Sequence, residues 1–372
     1  MKKMKRTLTI TFHASDNNGS FLQSYALQSV LQKKFNVENK IINLQTKEQK
    51  RLYSILRPLN SVSNIFKNAI SLAHYRKLKR RKKRFCDMRN VFLQQTALCS
   101  KIEEVEDLAN CADLNIVGSD QIWNTKAYDF SSAYFLPNVK TKKISYAVSS
   151  GAHARKELLK DYEKEIRQFS ALGVRETSMV KMLESFEKEA QVTLDPTCLL
   201  DAEDYEILYK KEPLVKGEYI FLYSINYNEA ILKTAKKISK ELKMPVITVF
   251  TSYRAVHCRR YGVKVLWDSA PSEFLNLVVN AKLVLTNSFH GTVFSSVFRK
   301  DFFRVCAENE GKRIRDDRID DFLDNLGLAR SISLSTKMDC ILKNIHVDYD
   351  GFEERLENLR TESIKFLQDA LN

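Results

Sequence analysis

The chain has 372 residues, more than one hydrophobic core usually supports, so two domains are expected. Hydrophobic residues make up 44% and aromatic residues 10%, with no low-complexity tract, which excludes a disordered protein. The formal charge of +14 leaves three classes of partner open: nucleic acid, an acidic membrane face and a small anionic substrate.

The basic N-terminus leads straight into Thr7–Phe12, an alternating run that reads as a strand and not as the apolar centre of a signal peptide. No apolar stretch reaches the roughly 18–20 residues that span a bilayer. The expectation is a cytoplasmic protein. His13 closes this strand, either as an acceptor-site residue or as a polar loop residue. The turn Asp16–Ser20 follows, and a helical stripe runs from Phe21 to Phe35. Backbone N–H groups around Asn18 and Gly19, with the positive end of that helix, can meet an anion. A plain strand-to-helix turn with an Asn or Ser cap explains the segment equally well.

The run Arg76-Lys-Leu-Lys-Arg-Arg-Lys-Lys-Arg84 contains neither glycine nor proline. It reads as a solvated helix face or arm, or as an attractor for anionic lipid, where each Lys or Arg contributes roughly 1 kcal/mol. A basic run alone carries no base-reading module, so nucleic acid ranks last.

Leu114–Val117 is a short apolar strand that stops at Gly118-Ser-Asp-Gln121, and Lys143–Val148 is another that stops at Ser149-Ser-Gly151, with His153 just beyond. Leu172–Arg175 ends on the charged pair Arg175-Glu176. In open α/β sheets ligands bind outside the carboxyl ends of the strands, so these turns are where chemistry is expected. The guanidinium of Arg175 can fork onto a carboxylate or phosphate, or form a salt bridge between neighbouring elements.

The segment 192–204, with its Asp195-Pro196 turn, reads as a domain crossing. A second alternating series follows: strands at 219–223, 246–250 and 283–286, and helices at 229–242 and 272–279. The third of these strands ends in Asn287-Ser-Phe-His-Gly291 before a helix over Thr292–Phe298. His290 therefore sits at a strand end ahead of a helix, where an imidazole can transfer protons or bind phosphate as imidazolium. The tail from Phe352 to Leu371 reads as an amphipathic helix packing back on the first domain. The expected organisation is an N-terminal Rossmann-like domain over 1–195, a second over 196–345, and the tail over 346–372. Seven cysteines lie scattered without CxxC spacing, and His74, His257 and His346 stand alone, so no metal site is expected.

Five segments, in this order, resemble the polysaccharide pyruvyl transferase family: TFHASDNNGSFLQSYALQ at 11–28, DLNIVGSDQIWN at 113–124, KISYAVSSG at 143–151, GVRE at 173–176 with LDPTCLL at 194–200, and TNSFHGTVFSSVF at 286–298. The resemblance implies an α/β, GT-B-like fold of two Rossmann-like domains facing a cleft. It also implies pyruvyl transfer from phosphoenolpyruvate to a sugar hydroxyl pair in capsular, exopolysaccharide or cell-wall glycan synthesis. Phosphoenolpyruvate is then a donor substrate, and no cofactor is implied. The family's histidine falls on His290 and its VRE-type arginine on Arg175. Some members carry an arginine where this chain has Ser288, so Arg175, Arg254 or Arg313 must supply that charge.

The catalytic candidates are His290, Asp120 and Glu176. Candidates for substrate contact are Arg175, Asn18, Gly19, Ser119, Ser149, Ser288, Gly291, Thr292, His13 and His153. The basic run suits an acceptor carried on a membrane lipid, with the protein held peripherally at the inner face. Two other readings compete: a nucleotide-sugar glycosyltransferase on the same scaffold, and a non-catalytic glycan-assembly binding protein.

Overall fold

A computed structural model describes residues 4–152, 156–310 and 312–372. The first half builds seven strands: β1 (Arg6–Ile10), β2 (Glu38–Leu44), β3 (Gln95–Cys99), β4 (Leu114–Asp120), β5 (Lys143–Val148), β6 (Ala171–Val174) and β7 (Gln191–Val192). They form one parallel sheet in the order β3-β2-β1-β4-β5-β6-β7. β4 and β5 are buried along their whole length, as expected for parallel strands covered on both faces.

The second half repeats the plan with β8 (Ile220–Tyr223), β9 (Val246–Val249), β10 (Val263–Leu266), β11 (Leu283–Thr286) and β12 (Phe302–Val305). A two-stranded ribbon, β13 (Glu308–Asn309) with β14 (Lys312–Arg313), precedes the last strand, β15 (Ser331–Ile332). The second sheet is ordered β10-β9-β8-β11-β12-β15. In each sheet the winding reverses beside the first strand, between β1 and β4 and between β8 and β11. Those reversals make the crevice in which such folds bind ligands.

β1 ends at Ile10, two residues before the alternating run does, and the His13 N–H turns back to the Thr11 carbonyl. The following helix starts at Asn18 and not at Phe21, because the Asn17 side chain accepts from the Gly19 and Ser20 amides. Asn18 and Gly19 are thus first-turn helical residues.

The long connection from β2 to β3 leaves its own sheet. Its helices Val62–Ala73 and Tyr75–Phe92 place Ile70 and Leu78 in the core cluster of the second sheet, with Phe250, Ala255 and Trp267. The basic run is therefore a bridge on one face. Arg80 and Arg84 pair with Asp268, Arg84 also with Glu273, and Arg81 and Arg89 with Asp16 of the first half. The C-terminal helix Phe352–Leu371 ties the halves from the other side. Ser363 accepts the Leu194 N–H, Arg360 donates to the Cys198 and Leu200 carbonyls, and Phe366 lies against Gly173. Among the described residues, no helix is long and apolar enough to cross a membrane.

Candidate active site between the two switch points

The two reversal points meet. The first helix presents Gly19 to His290, the second residue of the helix Phe289–Val297, and a Cβ on Gly19 would stand 2.1 Å from His290 Nδ1. Only a glycine allows this approach. Gly291 serves the same end within the second half, since a Cβ there would stand 2.2 Å from Thr286 Oγ1. Thr292 is buried in the first turn, its hydroxyl donating to the Ser288 carbonyl. Ser288 is the N-cap, yet its side chain caps nothing.

His290 is 7% exposed and its Nε2 has no hydrogen-bond partner among the described residues. Asp195 Oδ2 lies 3.7 Å away, within ion-pair range but beyond a hydrogen bond. Asp195 is the hub of the site. Its Oδ2 accepts from Ser119 Oγ at 2.9 Å and stands 2.9 Å from Arg175 Nη2, while Oδ1 accepts from the Thr197 N–H at 3.0 Å and its hydroxyl at 2.5 Å. Burial alone would raise this carboxyl, but the Arg175 guanidinium, His290 and Thr197 more than offset it and hold Asp195 well below the usual carboxylate range. It stays an anion at any working pH.

Arg175 is committed on one side: Nη2 donates to Ser119 Oγ and its guanidinium lies 4.5 Å from the centre of the Phe289 ring. Its Nε is buried without a hydrogen-bond partner among the described residues. Arg175 forms a salt bridge with Asp195. Asp195 itself was missed among the candidates. Its signal was present in the segment LDPTCLL, where Asp-Pro reads first as a turn.

Glu176 is fully buried, with Oε1 accepting from Ser149 Oγ at 2.7 Å and Oε2 without a hydrogen-bond partner among the described residues. Burial pushes its carboxyl up to about 7, against the pull of Arg175 and the Ser149 hydroxyl. Asp120 differs. Its Oδ2 accepts from Ser20 Oγ at 2.6 Å and its Oδ1 from the Gln121 N–H at 2.8 Å, and its φ of 78° puts the end of β4 in the left-handed region. Such conformations cost on the order of 1–3 kcal/mol and gather at functional sites.

His13 stands apart from this group. Its ring is fully buried, Nδ1 lies 3.2 Å from the Thr11 carbonyl and Nε2 3.2 Å from Asn43 Oδ1, and burial holds it down at about 4. Asn18 adjoins Tyr223 at the end of β8. His153 lies outside the described residues, and Arg254 and Arg313 are exposed. A second cationic group was not anticipated: Arg81 Nη1 and Arg89 Nη1 approach Asp16 at 3.9 and 3.2 Å at the end of the β1 loop. Among the described residues no group of three or more His, Cys, Asp or Glu could hold a metal ion.

Several solved structures share this architecture. S. aureus MnaA, in a structure with UDP, is 12% identical over 97% of this chain and 91% of its own, with a TM-score of 0.53. The UDP-N-acetylglucosamine 2-epimerase from Rickettsia bellii is 10% identical, covering 98% and 96%, with a TM-score of 0.52. A further putative UDP-N-acetylglucosamine 2-epimerase, from Listeria monocytogenes, is 11% identical, covering 87% and 88%, with a TM-score of 0.50. Identities this low carry the fold alone, and the fold is GT-B-like. A search of curated protein sequences finds no significant match. The polysaccharide pyruvyl transferase family model matches residues 17–307, from the Asn17 cap to just past the end of β12. With more than half of its length inside that match, the chain belongs to the polysaccharide pyruvyl transferase family.

Proposed function

We propose that this protein transfers pyruvyl from phosphoenolpyruvate to two hydroxyls of a sugar, forming a cyclic ketal in the synthesis of a surface glycan. The observation that carries the reading is the buried, unpartnered Nε2 of His290, in the first turn of a helix whose N-cap side chain leaves the amides uncapped. A helix start of this kind attracts an anion. His290 protonates the methylene carbon, which becomes a methyl group and leaves positive charge on the central carbon. One sugar oxygen bonds to that carbon, the bond to the phosphate oxygen breaks, and the second sugar oxygen closes the ketal. Two hydroxyl protons are released in total: one replaces the proton His290 gave, and the other leaves on hydrogen phosphate.

Glu176 suits the role of proton acceptor better than Asp120, because both Asp120 oxygens are engaged and Glu176 keeps one free at about the working pH. Asp195 fixes Arg175 and places a permanent counter-charge beside the imidazole. With the Gly19 backbone packed on the His290 ring, the halves must part for the donor to enter and close again for the reaction. The acceptor is proposed to be carried on a membrane lipid, with the protein working peripherally at the cytoplasmic face.

The test is phosphate release from phosphoenolpyruvate with a panel of galactose, glucose and mannosamine acceptors. Acceptor-dependent release is expected, and His290→Ala is expected to fold and to lose at least ~10²-fold in turnover. Near-normal turnover in the variant would remove His290 from the chemistry. No stimulation by any acceptor, together with thermal protection by a sugar nucleotide and none by phosphoenolpyruvate, would favour a nucleotide-sugar enzyme instead.

A further inference from the structure

The helix Val62–Ala73 is turned inside out. Its buried positions are Asn68, Ile70 and Ser71, and Ser71 Oγ lies 2.9 Å from Tyr253 Oη of the second half. The opposite stripe is apolar and faces outward, with Val62 84% exposed, Ile65 54%, Phe66 57% and Leu72 63%, and Leu59 in the preceding turn 75%. Positions 62, 65, 66, 69, 72 and 73 follow helical spacing, so they form one continuous face.

An apolar face invites many occupants, and charge selects among them. One residue, His74, separates this helix from the basic helix Tyr75–Phe92, whose first turns carry the exposed cations Arg76, Lys77 and Lys79. From Gln49 to Cys86 the chain has twelve Lys and Arg and no Asp or Glu. Arg80, Arg81 and Arg84 are paired with carboxylates of the two halves, so Arg76, Lys77 and Lys79 are the cations this end of the helix leaves to other partners. An apolar stripe in a segment whose own charges are all cationic complements a bilayer with anionic headgroups. A second copy would bring the same cations against these ones, and like charges repel.

We propose that residues 56–79 form a membrane-docking surface for an anionic bilayer, with Leu59, Val62, Ile65, Phe66 and Leu72 entering the interface and Arg76, Lys77 and Lys79 contacting headgroup phosphates. The two helices are anchored on the second half while the chain on either side belongs to the first sheet. Docking therefore holds the joint between the halves at the membrane. The proposal builds on the lipid-borne acceptor above, and because vesicle binding is measured without donor or acceptor, the two ideas fail separately.

The experiment is co-sedimentation of the full chain with vesicles of phosphatidylcholine alone and with phosphatidylglycerol added, at low and high salt. Binding to the anionic vesicles is expected, weakened by salt and weak on phosphatidylcholine alone. Ile65→Ser with Phe66→Ser is expected to weaken it at least ~10-fold, and Lys77→Gln with Lys79→Gln about fivefold per cation removed. These positions are exposed, so thermal unfolding of both variants is expected to match the parent. No sedimentation with anionic vesicles, or equal sedimentation of the Ile65/Phe66 variant, overturns the proposal. A concentration-dependent dimer in sedimentation velocity that the Ile65/Phe66 variant abolishes also overturns it, in favour of a second copy.

Discussion

The two walls of the cleft differ in their chemistry and in how their helix starts are satisfied. The wall from the first half carries Glu176, whose Oε2 has no hydrogen-bond partner among the described residues, beside Arg175 and the strained Asp120, whose two oxygens are both engaged. It also satisfies its own helix start, where Asn17 Oδ1 accepts the Gly19 amide at 2.9 Å. The wall from the second half offers an imidazole whose Nε2 has no hydrogen-bond partner among the described residues and a helix whose N-cap Ser288 makes no side-chain capping bond among them. A helix that caps itself has no amides to spare, and one that does not must find its acceptor elsewhere. For the proposed reaction, the contrast suits an anionic donor at the second wall and the hydroxyls to be deprotonated at the first.

The sharpest way to break this comparison is to titrate the acceptor wall. Burial holds Glu176 up at about 7 from an ordinary 4.5, so the unfolded chain releases that proton first and stability falls as pH rises through that window. His13 has the opposite sign. Burial holds it down at about 4 from 6.5, so stability is lost as pH falls between those values, and the two slopes oppose each other where they overlap. Glu176→Gln is expected to gain on the parent by on the order of 3 kcal/mol as pH rises from about 4.5 to above 7. Urea unfolding at both ends of the window measures it, and a pH-independent difference would make Glu176 an ordinary carboxylate.

A smaller effect is expected where the walls touch. Gly19→Ala is expected to displace the His290 ring and cost about tenfold in kcat/KM, on the order of 1.4 kcal/mol. In a His290→Ala background the same substitution is expected to cost little further, because the clash has gone. Full additivity in that cycle would show that Gly19 acts through something other than the imidazole.

The smallest effects compare the caps directly. Asn17→Ala is expected to cost about 1 kcal/mol of stability and Ser288→Ala a few tenths, since only the first side chain caps a helix. Equal losses in thermal unfolding would mean that the two helix starts are satisfied alike.

Much of the site was legible because local chemistry set it. His290 was placed at a strand end ahead of a helix, and Ser119, Asp120, Ser149 and Glu176 at the ends of three strands, by short apolar runs stopping at small polar turns. Parallel strands put such turns at one edge whatever the details of packing. Asp195 was not recognised, because its role depends on Arg175 and Ser119 arriving from other strands, and the Asp-Pro pair explains itself as a turn. The salt-bridge partner of Arg175 lies twenty residues on and could not be read from its neighbours in sequence.

The sequence by itself determined the two alternating α/β series and the histidine ahead of the helix in the second, which rest on periodicity and on spacing within a few residues, and its five motif segments carried the resemblance to the family. Only the tertiary structure decided which faces meet. It brought Gly19 against His290, gave Asp195 to Arg175, turned one face of the basic helix to Asp16 and Asp268, and left the apolar stripe of the helix Val62–Ala73 in the open. An apolar stripe at helical spacing reads as core, and the periodicity is the same whether that face is covered or bare. What covers a face is set by elements far away in the chain, and no local pattern carries that information.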